Sequence, residues 1–268
     1  MIRAASLILL CAAVQAQQFE VASIKEVPVD PRGYSVWSKG GPGTQDPSLF
    51  SCHNYSAGSL VMMAFDLKTY ELSGLDWGSP PRYDVSAKVP EGTTREQFRQ
   101  MMQNLLIERF KLTFHREKKE VPSYNLVVAK GGPKFKESVP EPPPSDDVPK
   151  PSSGPLKKDA TGYPILPAGR DSTMAIMNGY ASQRFGNEPI TQLVANLGFQ
   201  LHKPITNSTG LTGKYDFELH WAADPKLEDT EPNLFRALTE QLGLKLESSK
   251  TMVEILVVDH IEKSPTEN

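Results

Sequence analysis

In the first half of the chain, stretches in which apolar and polar residues alternate are separated by stretches in which apolar residues recur every three or four positions. The first pattern predicts strands and the second predicts helices. Thr93, Thr94, Arg95 and Glu96 form a capping box, and the buried stripe of a longer helix follows it. The predicted elements are a strand at 19–24, a helix at 59–65, strands at 70–72 and 82–88, the capped helix, and a hairpin of strands at 112–116 and 124–129.

The second half repeats this order of patterns. Tyr83 corresponds to Tyr215 and Leu112 to Leu244, each pair separated by 132 residues, and apolar positions between these anchors keep the same register. Such a constant spacing predicts that one supersecondary unit occurs twice. The elements predicted here are strands at 174–177, 201–205 and 214–221, a helix at 190–197, a helix that ends at Gly243, and a hairpin of strands at 244–247 and 253–258.

These elements predict an α+β fold of two similar lobes, each roughly β-α-β-β-α-β-β, with helices on one face of a mostly antiparallel sheet. Between the halves lies a stretch rich in proline and poor in apolar side chains, which indicates an extended spacer or a docking motif for an aromatic groove. The expected organisation is a signal peptide at 1–16, a first lobe at 17–137, a Pro-rich linker at 138–173, a second lobe at 174–263 and a tail at 264–268.

The N-terminal residues have the composition of a secretory signal. Arg3 precedes a short apolar run, and the pattern Val14-Gln15-Ala16 predicts cleavage after Ala16. The run is shorter than the roughly 20 residues that a membrane-spanning helix needs, which disfavours an uncleaved anchor. We therefore expect a secreted or periplasmic protein that is not embedded in a membrane after cleavage. Its remaining cysteine, Cys52, lacks an internal disulfide partner and is either buried or a free thiol.

Composition and motifs narrow the classes of function. The net charge is −3 and 23% of the residues are charged, without a basic stripe, so nucleic acid is not an expected partner. None of the five histidines has the spacing of a metal site, and the adjacent Cys52 and His53 do not alone indicate one. A glycine-rich phosphate loop and a serine-hydrolase elbow do not occur in the sequence, so no metal or cofactor is expected.

Three groups of residues remain as candidates for chemistry or binding. Asp84 and Asp216 occupy equivalent positions beside tyrosines. Two such acids could flank a glycosidic bond, or each could hold a turn or helix end in its own lobe. The stretch 209–214 contains two glycines and two threonines, which is typical of a ligand-facing loop or of a rigid turn that leads into a strand.

Tryptophan side chains are a third candidate, because this residue type is enriched in binding surfaces. Of Trp37, Trp77 and Trp221, the last fits the inward positions of a strand and Trp77 falls in a turn. We expect no catalytic and no metal-binding residue. The candidate ligand-binding residues are Trp77, Tyr83, Asp84, Thr209, Thr212, Lys214, Tyr215 and Asp216.

Several motifs together resemble those of the "soil-associated protein" family over nearly the whole chain after the signal. They lie at 19–25 (FEVASIK), 72–74 (LSG), 76–77 (DW), 82–84 (RYD), 105–112 (LLxERFKL), 128–134 (VAKGGPK), 209–216 (TGLTGKYD) and 241–247 (QLGLKLE). The resemblance implies a secreted domain of unknown function. Similar modules fused behind membrane metallopeptidases of antibiotic-sensor type imply sensing or binding outside the cytoplasm. The last motif and its hairpin are also similar, in fold alone, to the short N-terminal domain of secretins and TonB-dependent receptors.

Two functions are compatible with these observations. The first is a non-catalytic binding module, or a module for interaction or sensing at the cell envelope, whose partner is an envelope protein, a peptide or a glycan. The second is an extracytoplasmic hydrolase that uses Asp84 and Asp216 as paired acids. The surroundings of these carboxylates separate the two: acids in one shared cleft favour the hydrolase, whereas acids tied to the backbone of their own lobes argue against it.

Overall fold

The computed structural model describes residues 18–28, 35–75, 80–139, 156–167, 169, 172–227 and 230–266. The predicted signal peptide, most of the proline-rich stretch and Trp77 lie outside these residues. The chain divides into two compact units. The first comprises Met1–Lys118 together with Glu254–Asn268, and the second comprises Lys119–Val253.

The described residues contain twelve strands and four α-helices, and most strand pairs are antiparallel, which confirms the predicted α+β class. The strands are β1 (Val21–Val27), β2 (Trp37–Gly40), β3 (Leu49–Ser56), β4 (Leu72–Ser73), β5 (Arg82–Lys88), β6 (Thr113–Val128), β7 (Lys136–Glu137), β8 (Thr173–Met177), β9 (Tyr180–Pro189), β10 (Ile205–Asn207), β11 (Lys214–Ala222) and β12 (Leu244–His260). The α-helices are α1 (Ala57–Phe65), α2 (Arg95–Phe110), α3 (Ile190–Leu201) and α4 (Leu234–Ala237), the last continuing as a π-helical segment (Leu238–Leu242). Among the described residues, none of the helices is both long enough and apolar enough to span a lipid bilayer.

The first unit contains a four-stranded antiparallel sheet of order β1-β5-β3-β2, here called the first sheet. Its inner face carries Ile24, Cys52 and Val85 into a core that also holds the apolar residues of α1 and α2. Helix α2 begins where the sequence predicts, although the observed capping box pairs Thr94 with Gln97. Because both helices bury their apolar sides on this one face, the opposite face of the sheet is free to carry polar groups.

The second unit contains a four-stranded antiparallel sheet of order β7-β11-β9-β8, here called the second sheet. Along β11 the inward residues Tyr215, Phe217, Leu219 and Trp221 enter the core, as the alternation predicts. Helix α3 and the segment from α4 onward supply the remaining apolar side chains.

The two predicted terminal hairpins are wrong. In their places the structure has single continuous strands, β6 and β12, which are neighbours in a third sheet of order β10-β6-β12-β4. Ion pairs join Arg116 to Glu254 and Glu120 to Lys250, so the two strands run in opposite directions. The polar stretches of β6 and β12 resemble turns, but their opposite charges pair across the sheet. Each strand therefore pairs with the other strand instead of forming a hairpin.

The elements follow one another in the same order in both halves. Strands and helices β2-β3-α1-β4-β5-α2-β6 correspond to β8-β9-α3-β10-β11-α4-β12, and the first and second sheets correspond strand for strand. This order supports the duplication, which stays a prediction, as do the boundaries of the two lobes. The strands β3 and β9 were not predicted, because several of their buried positions hold polar residues (Asn54, Ser182 and Gln183) that break the alternation.

Candidate functional site

The outer face of the first sheet carries three rows of side chains that cross the strands. They are defined by the strand register as an indole row (Lys25, Asp84, His53 and Trp37), a serine row (Ser23, Ser86, Ser51 and Lys39) and an aliphatic row (Val21, Lys88 and Leu49). Because successive residues of a strand point to opposite faces, the rows lie on the side away from the core. The serine row is joined by a contact of 3.3 Å between Oγ of Ser51 and Oγ of Ser86.

The indole row brings a carboxylate, an imidazole and an indole into contact. Nδ1 of His53 lies 2.7 Å from Oδ1 of Asp84. The His53 ring stacks on Trp37 with 5.5 Å between ring centroids, and Nζ of Lys39 lies 5.3 Å from the Trp37 centroid. Trp37 is nevertheless 42% exposed. A large aromatic surface is thus held in place beside hydrogen-bonding groups while it still faces solvent.

A bulge in β3 sets this geometry. The register between β3 and β5 shifts between Cys52 and Tyr55, and Asn54 there has a φ of 62°. Asparagine tolerates this left-handed conformation better than most residues. The backbone N–H of Asn54 donates to Oδ1 of Asp84 at 3.0 Å, and Nη1 of Arg82 donates to the Asn54 carbonyl at 3.0 Å. The bulge therefore fixes the Asp84 carboxylate, and with it the imidazole.

A cavity of about 250 Å³ lies at this place, lined among others by Lys25, Trp37, His53, Asp84 and Ser86. Cys52 lies beneath it and is buried. Burial raises the pKa of the Cys52 thiol to about 11, so that the thiolate, which is the nucleophilic form, is disfavoured. The groups around the cavity are suited to hold a ligand by hydrogen bonds, charge and aromatic contact.

The second sheet has the same bulge. Asn187 has a φ of 53°, and its N–H donates to Oδ1 of Asp216 at 2.7 Å. A cavity of about 350 Å³ lies beside Asp216, lined among others by Arg184, Phe185 and Glu218. Nε of Arg184 and Oε1 of Glu218 are 2.5 Å apart, so these two charges are already paired.

Residues 156–167, here called the covering segment, lie on the outer face of the second sheet. The Tyr163 ring packs against Tyr180 and His220, with centroids 5.1 and 5.5 Å away, and its hydroxyl donates to Oε2 of Glu231 at 2.9 Å. Burial, together with this carboxylate, raises the pKa of the Tyr163 phenol. Sequence analysis assigned these residues to the linker, whereas here they form a folded turn.

The structure places the other sequence candidates away from the indole row. Tyr83 and Tyr215 are buried in the cores of their units, and the Tyr83 hydroxyl donates to the Lys263 carbonyl. Thr209 stabilises its own turn, since its hydroxyl donates to Oδ1 of Asn207 at 2.8 Å. Thr212 and Lys214 are exposed at the start of β11.

The surroundings of the two acids argue against the paired-acid hydrolase. Asp84 and Asp216 each accept a backbone N–H from a bulge of their own unit, which is the arrangement that favours a structural role. Sequence reasoning identified Asp84 but not the importance of His53, whose partner lies 31 positions further along the chain. Pairing of β3 with β5 creates that contact, and the histidine itself carries no local signal of it.

Comparison with known proteins gives one match. Residues 58–261 match the model of a family described as "Protein of unknown function (DUF3738)". The search of curated proteins and the search of solved structures gave no match. Since the matched residues make up most of the chain, the protein belongs to the DUF3738 family.

Proposed function

We propose that this protein is a non-catalytic binding module that acts outside the cytoplasm and holds its ligand on the outer face of the first sheet. The observation that carries the proposal is the grouping of Trp37, His53 and Asp84, a fixed aromatic and hydrogen-bonding surface at an exposed cavity. Exposed aromatic side chains held in this way are typical anchors of binding sites.

The geometry favours binding over catalysis. The Asp84 carboxylate accepts the Asn54 N–H and contacts the His53 imidazole, so it serves to orient its neighbours. The thiol nearest the cavity is buried and protonated at neutral pH. A face built on paired strands changes little on binding, and such preorganisation reduces the entropy that a ligand loses.

The proposed location rests on the N-terminal sequence alone. Arg3, the apolar run and the pattern at Val14-Gln15-Ala16 are those of a secretory signal. A module released into the periplasm or the medium meets envelope proteins, peptides and glycans, which are the classes to be tested.

The test is a thermal-unfolding screen of the purified protein against short peptides, glycans and peptidoglycan fragments. A ligand at a hundredfold excess over its Kd should stabilise the folded state by about 2.7 kcal/mol. We expect His53→Ala to abolish the increase in Tm. The matched control is His115→Ala, because His115 also contacts an aspartate, with 2.8 Å between its Nδ1 and Oδ1 of Asp259, but lies on β6.

A ligand whose effect on Tm is the same in both histidine variants would contradict the proposed site. A screen in which none of the three ligand classes raises Tm would contradict small-ligand binding altogether.

A further inference from the structure

The first and second sheets differ in what covers their outer faces. The segment that lies on the second sheet indicates what the first sheet binds. We infer that the ligand of the first sheet is an extended polypeptide segment that carries a large apolar or aromatic side chain and lies along β5. This inference rests on the proposed function and names the class of its ligand.

The second sheet already holds a segment of its own chain, which carries an aromatic side chain and begins with a folded turn. Tyr163, which is 8% exposed, lies against His220, the residue four positions beyond Asp216 on the central strand. The turn before it is fixed by Asp159, whose Oδ1 accepts the backbone N–H groups of Thr161 and Tyr163 at 2.9 Å each. The Thr161 hydroxyl bond, and then these backbone bonds, lower the pKa of Asp159, so the anchoring carboxylate is ionised at neutral pH.

The same sheet binds the backbone of that segment as well. Nη1 of Arg184 donates to the carbonyls of Pro167 and Gly169, at 2.6 and 3.0 Å. Arg184 pairs in register with Glu218, two positions beyond Asp216. The outer face of the second sheet therefore contacts a side chain at the row of His220 and binds backbone carbonyls at the row of Arg184 and Glu218.

The first sheet presents corresponding rows, but the described residues of its unit do not include a comparable segment over them. Four positions beyond Asp84, the aliphatic row places Val21 and Leu49 on either side of Lys88. Val21 is 66% exposed and Leu49 is 43% exposed, although both are large apolar residues. An apolar or aromatic side chain of a ligand would remove this surface from water.

The next two rows match the backbone of such a ligand. In the serine row, one hydroxyl of the Ser51–Ser86 pair and the Lys39 ammonium can donate to carbonyls. The indole row adds a carboxylate, an imidazole and an indole. Rows two residues apart on a strand are about 7 Å apart, so the three rows span about 14 Å, the length of four or five extended residues. A glycan would use the indole row but would leave the aliphatic row exposed.

The experiment is a selection of phage-displayed random octapeptides on the purified full chain, with counter-selection on the Leu49→Asp variant. We expect enriched peptides to share one large apolar or aromatic residue. Synthetic versions should bind Leu49→Asp at least about tenfold more weakly than the parent protein. The His115→Ala variant, which changes a histidine of the same unit on β6, should bind them as the parent does.

Enriched peptides that bind Leu49→Asp as tightly as the parent would overturn the inference, as would a selection that enriches none. If a glycan raises Tm in a His53-dependent manner while peptides fail, the proposed function stands and the peptide inference falls.

One further variant tests whether the ligand comes from another molecule. In sequence, Asp30, Gly33 and Tyr34 repeat the spacing of Asp159, Gly162 and Tyr163. We expect Tyr34→Ala to bind the selected peptides within about twofold of the parent. If peptides bind only after this substitution, the inference is overturned, because this result would mean that a segment of the same chain occupies the face.

Discussion

The first and second sheets share strand order, a bulge and a hydrogen bond from the bulge to an aspartate, yet their outer faces differ. On the second sheet, Arg184 and Glu218 neutralise each other and the Tyr163 ring of the covering segment packs on the face. On the first sheet, the corresponding positions carry Ser51 and Ser86, and a tryptophan and two aliphatic residues face solvent. The comparison teaches that the same scaffold can carry a covered outer face in one unit and an exposed polar and aromatic face in the other.

The largest expected difference concerns the aromatic side chains on the two faces. Tyr163→Ala should reduce the free energy of unfolding by about 3 kcal/mol, because it removes a buried ring and leaves the Glu231 carboxylate without its donor. Trp37→Ala should cost less than about 1 kcal/mol, since Trp37 is already 42% exposed in the folded protein. Urea unfolding of both variants measures the difference. Equal losses would show that Trp37 is a structural residue like Tyr163.

A smaller difference is expected between the two bulges. Asp84→Ala should cost about 1–2 kcal/mol, because it leaves the N–H of the buried Asn54 without an acceptor. Asp216→Ala should cost less than about 1 kcal/mol, because Asn187 is exposed and water can replace the carboxylate. Urea unfolding again measures both, with Asp84→Asn as the control that retains an acceptor oxygen. A larger loss for Asp216→Ala than for Asp84→Ala would contradict the prediction, because it would show that the second bulge depends more on its aspartate than the first.

A third comparison concerns the inner faces, where Cys52 and Phe185 each lie just before the bulge of their sheet. The pKa of Cys52 is raised to about 11 from 9.0. At pH 8 the folded protein should therefore contain about a hundredfold less thiolate than the unfolded chain, and should react correspondingly slowly with a thiol reagent. The pKa of this thiol is higher in the folded than in the unfolded protein, so its protonated form contributes to the free energy of unfolding. That contribution is complete below pH 9 and is lost as the pH rises towards 11.

This reactivity is measured with an aromatic disulfide reagent, with and without urea. The other cysteine, Cys11 of the predicted signal peptide, is replaced by serine so that only Cys52 reacts. Equal rates in the two conditions would show that Cys52 is accessible, and the core beneath the indole row would then be loosely packed.

Much of the fold can be predicted from the sequence because local patterns report on burial. The alternation in β11 and the stripe of α2 predict the inward residues that the cores contain. The terminal hairpins were predicted wrongly because a polar stretch such as 118–122 has the same composition in a turn and in a strand with a charged partner. Local sequence does not distinguish the two.

The candidate site was less predictable, because strand pairing assembles it. Trp37, His53 and Asp84 lie on three strands, and they are far apart in the sequence. Asp84 was identified through its counterpart in the second half, while His53 has none, since Gly186 occupies the corresponding place before the second bulge. A pattern that recurs is visible in a single sequence, whereas a contact made across a sheet is not.

The continuity of β12 has a consequence for the order in which the protein matures. Leu256 and Val258 belong to the core of the first unit, but they are encoded after the whole of the second unit. The N-terminal unit therefore cannot close its core while the ribosome is still reading the codons that precede residue 254. Lys119–Val253, an uninterrupted stretch, contains all the strands and helices of its own unit before then. The half of the polypeptide that is synthesised first is thus the half that is completed last.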